Sequence, residues 1–248
     1  MKKIVLITGG ATGLGRSLAK AFASEGYDIV ITYNNGKDEA SSLKQMLEDM
    51  YKVNVVVIKC DLSKEEDISC VKEEIVKKFG RVDVLVNNAA IEIDMDFDKK
   101  TKAVFMHTLE VNLVGTFLIS RCIADLMYEN KYGKIVNIAS NNAIDKNDPI
   151  TLEYDASKCG LISLTHNLAK QYAPFVNVNA VAPGWIMTDK VIKENNFLDN
   201  KLVEEESKKI LLNRFGSEED ICNLVLFLAS DKASYINSEV IRIDGGSY

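Results

Sequence analysis

The stretch IVLITGGATGLG, from Ile4 to Gly15, carries the fold assignment. Ile4 to Ile7 form an apolar run of strand length, and Thr8 opens a glycine-rich turn that leads into a helical pattern. Gly9, Gly13 and Gly15 have the spacing G-x-x-x-G-x-G, a relative of the dinucleotide-binding fingerprint. The physical sense is direct: a buried strand ends, and glycines permit a tight turn and close backbone approach. A helix then begins with its amide groups facing a pyrophosphate. The competing reading is a glycine-rich turn without a ligand. Strand, turn, glycines and helix in this order favour a nucleotide site.

Outward from that turn, apolar runs alternate with segments of helical period. Strands are expected near 3–7, 28–33, 54–59, 82–87, 134–139, 176–181 and 239–243, and helices near 14–25, 37–50, 65–79, 101–127, 154–172 and 217–229. Continuous apolar strands such as VNVVVI and VDVLV suit burial on both faces. The alternation predicts an α/β fold, a single doubly wound domain over 1–248 with a parallel sheet of about seven strands flanked by helices. Asp61–Leu62–Ser63 reads as the capping start of the third helix, Ser217 as that of the last, and Pro174 as the stop of the helix before it. The stretch 185–213 breaks the rhythm after a strand end, where ligands sit in such sheets, and is read as a substrate lid.

Composition excludes several classes. The chain has 248 residues with a net charge of −6, and its lysines are scattered in short pairs, so it offers no basic face for nucleic acid. No segment is read as reaching the length of a membrane span, and the basic-then-apolar start breaks at glycine too early for a signal peptide. Five cysteines without a C-x-x-C pair read as reduced small hydrophobes of a cytoplasmic protein. His107 and His166 fit no metal-ligand pattern, and no metal is expected.

Tyr154 and Lys158 stand one helical turn apart, on one face of the helix expected there. A cation beside a phenol favours the phenolate and is expected to draw its pKa down from roughly 10 towards neutrality. Taken alone, Y-x-x-x-K is also a common solvated surface pair; the glycine turn is what raises its weight.

Together these segments resemble the short-chain dehydrogenases/reductases. The resemblance runs through TGGATGLG (8–15), DL (61–62), NNAA (87–90), Asn112 in VNLVGTF, IVNIAS ending at Ser140, YDASK (154–158) and PG (183–184), essentially the whole chain. It implies a Rossmann-fold oxidoreductase that moves a hydride between a nicotinamide cofactor and a ketone or secondary alcohol. Tyr154 would be the acid/base, with Lys158 lowering its pKa and binding the nicotinamide ribose. Ser140 would orient and polarise the carbonyl, with Asn141 competing for that slot, and Asn112 would hold a water in the proton relay. Thr12 and Leu14 would join the three glycines at the cofactor, and Asp61, followed by Leu62, would accept from the adenine amino group. Asn88, Ala89 and Ala90 would line the cofactor, and Pro183, Gly184, Ile186 and Thr188 would close on the nicotinamide and its phosphate.

Where an acidic residue would bind the ribose 2′-hydroxyl, at the end of the second strand, this chain has Tyr33 followed by Asn34 and Asn35. With no carboxylate there to repel a 2′-phosphate, NADP(H) is favoured over NAD(H). Thr12, Tyr33, Asn34 and Lys37 would hold that phosphate.

YNNGKDEA and YINSEVIRIDGG look most like 3-oxoacyl-(acyl-carrier-protein) reductases. Such enzymes carry basic residues beside the site entrance for the carrier protein. Lys131 matches one such place, and Pro174 or Phe175 takes the other. The substrate is thus a small carbonyl or alcohol, or an acyl thioester. Asp145, Asp148 and Glu153 beside Trp185 leave a sugar or polyol substrate as an alternative, equally readable as solvated loop carboxylates. A cofactor-binding sensor without catalysis is the rival of another class. The resemblance further implies a homotetramer built through the helices at 101–127 and 154–172 and the last strand.

Overall fold

The computed structural model describes residues 2–188 and 200–247. Seven parallel strands form one sheet in the order β3-β2-β1-β4-β5-β6-β7. They are β1 Ile4–Ile7, β2 Asp28–Tyr33, β3 Val55–Lys59, β4 Val84–Asn87, β5 Gly133–Ile138, β6 Val176–Pro183 and β7 Val240–Ile243. Register is tight, with Ile4 opposite Asp28 and Val84 opposite Lys134. Strand order reverses between β1 and β4, the switch point where such sheets leave a crevice.

Alternate residues of each strand feed opposite cores, as the period of two requires. Val5, Ile7, Ile29, Ile31, Val84 and Val86 face one core. It is covered by α1 (Gly13–Ser24), α2 (Lys37–Tyr51) and the late helix Glu218–Ala229. Leu6, Val30, Leu85, Ile135 and Val178 face the other, covered by α3 (Glu65–Phe79), a helix over Thr116–Glu129 and a long helix over Leu152–Tyr172. Burial on both faces is why these strands read as unbroken apolar runs.

The long helix expected at 101–127 is divided. Lys102–Leu109 (α4) passes into a π-helical turn at Glu110–Gly115 and resumes as α5 (Thr116–Glu129). Asn112 lies within that turn, and both ends of its amide bond the backbone of Ile91, outside the helix. Lys102–Glu129 has 28 residues and contains an 18-residue window with a mean hydropathy of 1.4, so, contrary to the sequence reading, one segment does match a membrane span in length and composition. Its α5 half packs Ile119, Ile123 and Met127 into the second core, where a buried helix of a globular fold has the same composition.

Two start signals divide in outcome. Ser217 caps the late helix, here α8 after α6 (Leu152–Tyr172) and α7 (Asn200–Ser207), through a reciprocal capping box with Asp220. At the third helix the N-cap is Lys64, and the Asp61 side chain instead accepts from the Ser63 amide and hydroxyl, closing an Asx turn one step earlier. α6 ends at Tyr172, two residues before Pro174. Of the lid expected over 185–213, residues 189–199 lie outside the described residues. Within its described part, α7 runs over Asn200–Ser207, and the acidic run there pairs outward, Glu204 with Lys208 and Glu206 with Lys209.

Candidate active site

Four strand ends surround a cavity of about 400 Å3 at the switch point. Its floor is backbone. Gly9 has φ +62°, and a Cβ there would stand 3.0 Å from the Ala89 Cα. At Gly15 a Cβ would meet the Gly9 carbonyl oxygen at 2.2 Å, so the first turn of α1 reaches this close to β1 only as glycine. Asn88 locks the two loops together: its Nδ2 donates to the carbonyls of Thr8 (3.0 Å) and Gly9 (3.2 Å). The amides of Asn88 and Ala89 both donate to Thr8 Oγ1 at 3.0 Å.

Thr12 is the exposed N-cap of α1, and its hydroxyl makes no capping bond, while Leu14 lines the cavity and packs against the core. Tyr33 and Asn34 form the wall at the end of β2; Asp61 and Leu62 form it beyond β3, and Ala90 beyond β4. Asp61 keeps its carboxyl below the usual carboxylate range, chiefly through the Ser63 hydroxyl. Asp28, at the other end of β2, accepts from Asn54 and is remote from the cavity. A glycine cradle, an ionised carboxylate and a helix N-terminus suit a dinucleotide in size and chemistry.

The sequence reading missed further lining residues, among them Thr32, Asn35, Cys60, His107 and Val111. His107 and Val111 are four apart, a helical spacing that puts them on one face, but nothing in the sequence ties that face to the cavity. Pro183 ends β6, and Gly184, Ile186 and Thr188 follow it at the same sheet edge, but none of the four is among the cavity's lining. Gly184 is held by its amide bond to Ile243 (3.2 Å), and Ile186 bridges to Gly216.

Beside the cavity, α6 brings Tyr154 and Lys158 against the end of β5. Two buried amides and two buried hydroxyls fix that helix. Asn87 Nδ2 donates to Asn137 Oδ1 at 2.7 Å and to Ser120 Oγ at 2.8 Å, and Asn137 Nδ2 donates to Thr165 Oγ1 at 2.8 Å. Such a polar chain sets helix register against the sheet more narrowly than apolar contact does, although Asn87 Oδ1 is buried with no partner among the described residues.

Ser140 hydrogen-bonds the Tyr154 hydroxyl. β5 ends at Ile138, two residues before the expected limit, and Ser140 caps a short 3-10 turn, its Oγ accepting from the Asn142 amide. Asn141, the competing candidate, is turned away and donates to Asp244 Oδ2 at 3.2 Å. Lys158 is 3 % exposed; its Nζ donates to the Ile138 carbonyl at 2.6 Å and stands 5.4 Å from the Tyr154 ring centroid.

The electrostatics correct the expected phenolate. Burial raises the Tyr154 pKa above its ordinary value, the Glu92 carboxylate adds to that, and only the Ser140 hydrogen bond opposes. Burial brings Lys158 down to about 8, so it remains mainly an ammonium at neutral pH. Desolvation outweighs the cation's pull, and the resting phenol is protonated.

Asn112 is 1 % exposed and satisfied by protein alone: Oδ1 accepts from the Ile91 amide (2.8 Å), and Nδ2 donates to the Ile91 carbonyl (2.8 Å) and Ser157 Oγ (3.1 Å). It clamps the loop after β4 to α6. The loop carboxylates also have protein partners. Asp145 pairs with Arg242 (2.7 Å), Asp148 accepts from the Ile150 amide (2.9 Å), and Glu153 pairs with Lys100 (2.6 Å). Asp145 and Asp148 nonetheless stay exposed, as solvated loop carboxylates do, whereas Glu153 is buried. Lys131, just before β5, stands at the amino edge of the sheet, opposite the cavity.

A doubly wound sheet with this glycine turn and a Ser-Tyr-Lys cluster defines a nicotinamide-dependent oxidoreductase, and the chain belongs to the short-chain dehydrogenase/reductase family. The family model described as enoyl-(acyl carrier protein) reductase matches residues 9–248. The chain is 38% identical over 247 residues to the 3-oxoacyl-(acyl-carrier-protein) reductase FabG of Aquifex aeolicus, covering 99% of this chain and 97% of that one. It is 36% identical to the Staphylococcus epidermidis enzyme of the same name, with 100% of each chain covered. Among solved structures, levodione reductase superposes with TM-score 0.91 at 33% identity, over 98% of this chain and 96% of that one. YwfH, an NADPH-dependent reductase involved in bacilysin biosynthesis, superposes with TM-score 0.93 at 28% identity, over 100% and 99%.

Proposed function

We propose that the protein reduces a 3-oxoacyl thioester or a related ketone with NADPH. The observation that carries this reading is the Tyr154 hydroxyl held by Ser140 beside Lys158, next to a glycine-floored cavity. When bound, the cofactor supplies a hydride to the carbonyl carbon. Tyr154 donates its proton to the carbonyl oxygen as negative charge develops there, and Ser140 shares in orienting that oxygen. Lys158 stabilises the phenolate left behind, at a cost in protein desolvation that the site has already met on folding. Asn112 acts by position, holding Ile91 and Ser157 rather than the substrate.

The raised phenol pKa favours reduction over oxidation at neutral pH, because the acid form is the one at rest. For the cofactor, Tyr33, Asn34 and Thr12 leave the end of β2 free of carboxylate, which supports NADPH over NADH. Relatives named as 3-oxoacyl-(acyl-carrier-protein) reductases support the thioester, and the pairing of Asp145 and Glu153 within the protein weakens a polyol substrate. We further read the protein as a cytoplasmic homotetramer: Met106, Val114 and Phe117 leave an apolar strip exposed on α4–α5. In a tetramer, Lys131 at the amino edge would serve a neighbour's entrance.

The test is a fluorescence titration with NADPH and NADH, followed by an absorbance assay with 3-oxoacyl thioesters, small ketones and sugars. NADPH oxidation by the thioester is expected. Turnover of sugars alone moves the assignment to a polyol enzyme, and binding of neither nucleotide overturns it.

A further inference from the structure

Next to Tyr154 lies a charged pair that the proton chemistry does not use. Glu153 is 1 % exposed, and its partner Lys100 has a side chain 7 % exposed, with Nζ to Oε2 at 2.6 Å. Lys100 also donates to the Ile150 carbonyl at 2.7 Å, and the Met95 amide to the same carbonyl at 3.4 Å. The second carboxylate oxygen, Oε1 of Glu153, is buried with no partner among the described residues. So costly a pair is poor evidence of stability: ions removed from water recover their hydration only with full hydrogen bonding, and this one is incompletely bonded.

Its place in the chain is informative. Lys100 ends the loop 91–101, whose start at Ile91 is clamped by Asn112. Glu153 sits in the first turn of α6, one residue before Tyr154. The loop is therefore pinned at both ends, once to the π turn and once to the helix that carries the phenol. Glu92, on the same loop, is the charge that acts on both Tyr154 and Lys158.

We propose that Lys100 and Glu153 are positioning residues, an ion-pair latch that fixes the 91–101 loop against α6 and so sets where the Tyr154 hydroxyl stands. This rests on the reductase reading above. The latch acts on Tyr154 through the helix and touches neither substrate nor cofactor.

The test compares Glu153→Gln, Lys100→Met and the apolar double variant Lys100→Leu/Glu153→Leu, using hydrogen exchange by mass spectrometry, thermal melting and steady-state kinetics. Each single variant is expected to speed exchange in the peptides covering 91–101 and 150–158. Each should also lower kcat about tenfold to a hundredfold while KM for NADPH moves less than about twofold. The double variant removes the unpaired charge and should melt near wild type, yet keep the low kcat. Wild-type kcat in a double variant that melts normally would overturn the proposal, leaving the pair a packing element. So would unchanged exchange of both peptides in the single variants. If the wild-type protein reduces no ketone or thioester, the reductase reading fails while the exchange data still report whether the latch exists.

Discussion

The two halves of the site are built from different materials. Around the glycine turn, the surface offered to a ligand is main chain, shaped by what the absence of a Cβ permits at Gly9 and Gly15. Around α6 it is side chain, and the properties of Tyr154 and Lys158 come from how deeply they are buried. A backbone cradle is specified by residue type at fixed spacing. A tuned phenol is specified by everything packed around it.

That contrast can be broken at four points. Tyr154→Phe removes one oxygen from the side-chain half and is expected to lower kcat about a thousandfold with NADPH affinity unchanged, read by single-turnover absorbance and fluorescence titration. Retained turnover would remove the phenol from the chemistry. Gly15→Val attacks the other half. A side chain 2.2 Å from the Gly9 carbonyl must displace backbone, so destabilisation of about 2–4 kcal/mol and lost nucleotide binding are expected in urea unfolding and titration.

Lys158→Met separates function from stability. At pH 7 the native lysine is a buried ammonium, and its removal should abolish turnover while raising stability by about 1–2 kcal/mol, after the loss of the Ile138 hydrogen bond is counted. The sign with pH follows from a native pKa of about 8 against 10.5 unfolded. Between those values the unfolded state binds more protons, so wild type gains stability as pH rises and the variant's advantage shrinks. A constant difference from pH 7 to 10.5 in paired melts would contradict that. The smallest effect is expected at the rim: Tyr33→Asp places a carboxylate where a 2′-phosphate would lie and should shift the NADPH-to-NADH affinity ratio about tenfold towards NADH.

The sequence was legible where geometry depends on local pattern. Strand positions, the glycine turn and the Ser217 cap follow from apolar period and residue type alone. It was less legible where partners come from far along the chain. Asn112, inside the π turn at 110–115, finds its partner in Ile91, and the fate of Glu153 depends on Lys100, 53 residues away. The Tyr154 pKa went the other way for a related reason: spacing reveals the neighbouring cation but not the burial that outweighs it.

One link has a bearing on biosynthesis. Asn141, next to Ser140, is held by Asp244, and Asp145 by Arg242, both at the end of β7. These partners are the last strand of the sheet to leave the ribosome. The lining of the nucleotide cavity, complete by Val111, is made of residues that emerge long before them. A nascent chain therefore assembles its cofactor floor early, and the loop bearing Ser140 acquires its final anchors only when β7 has emerged.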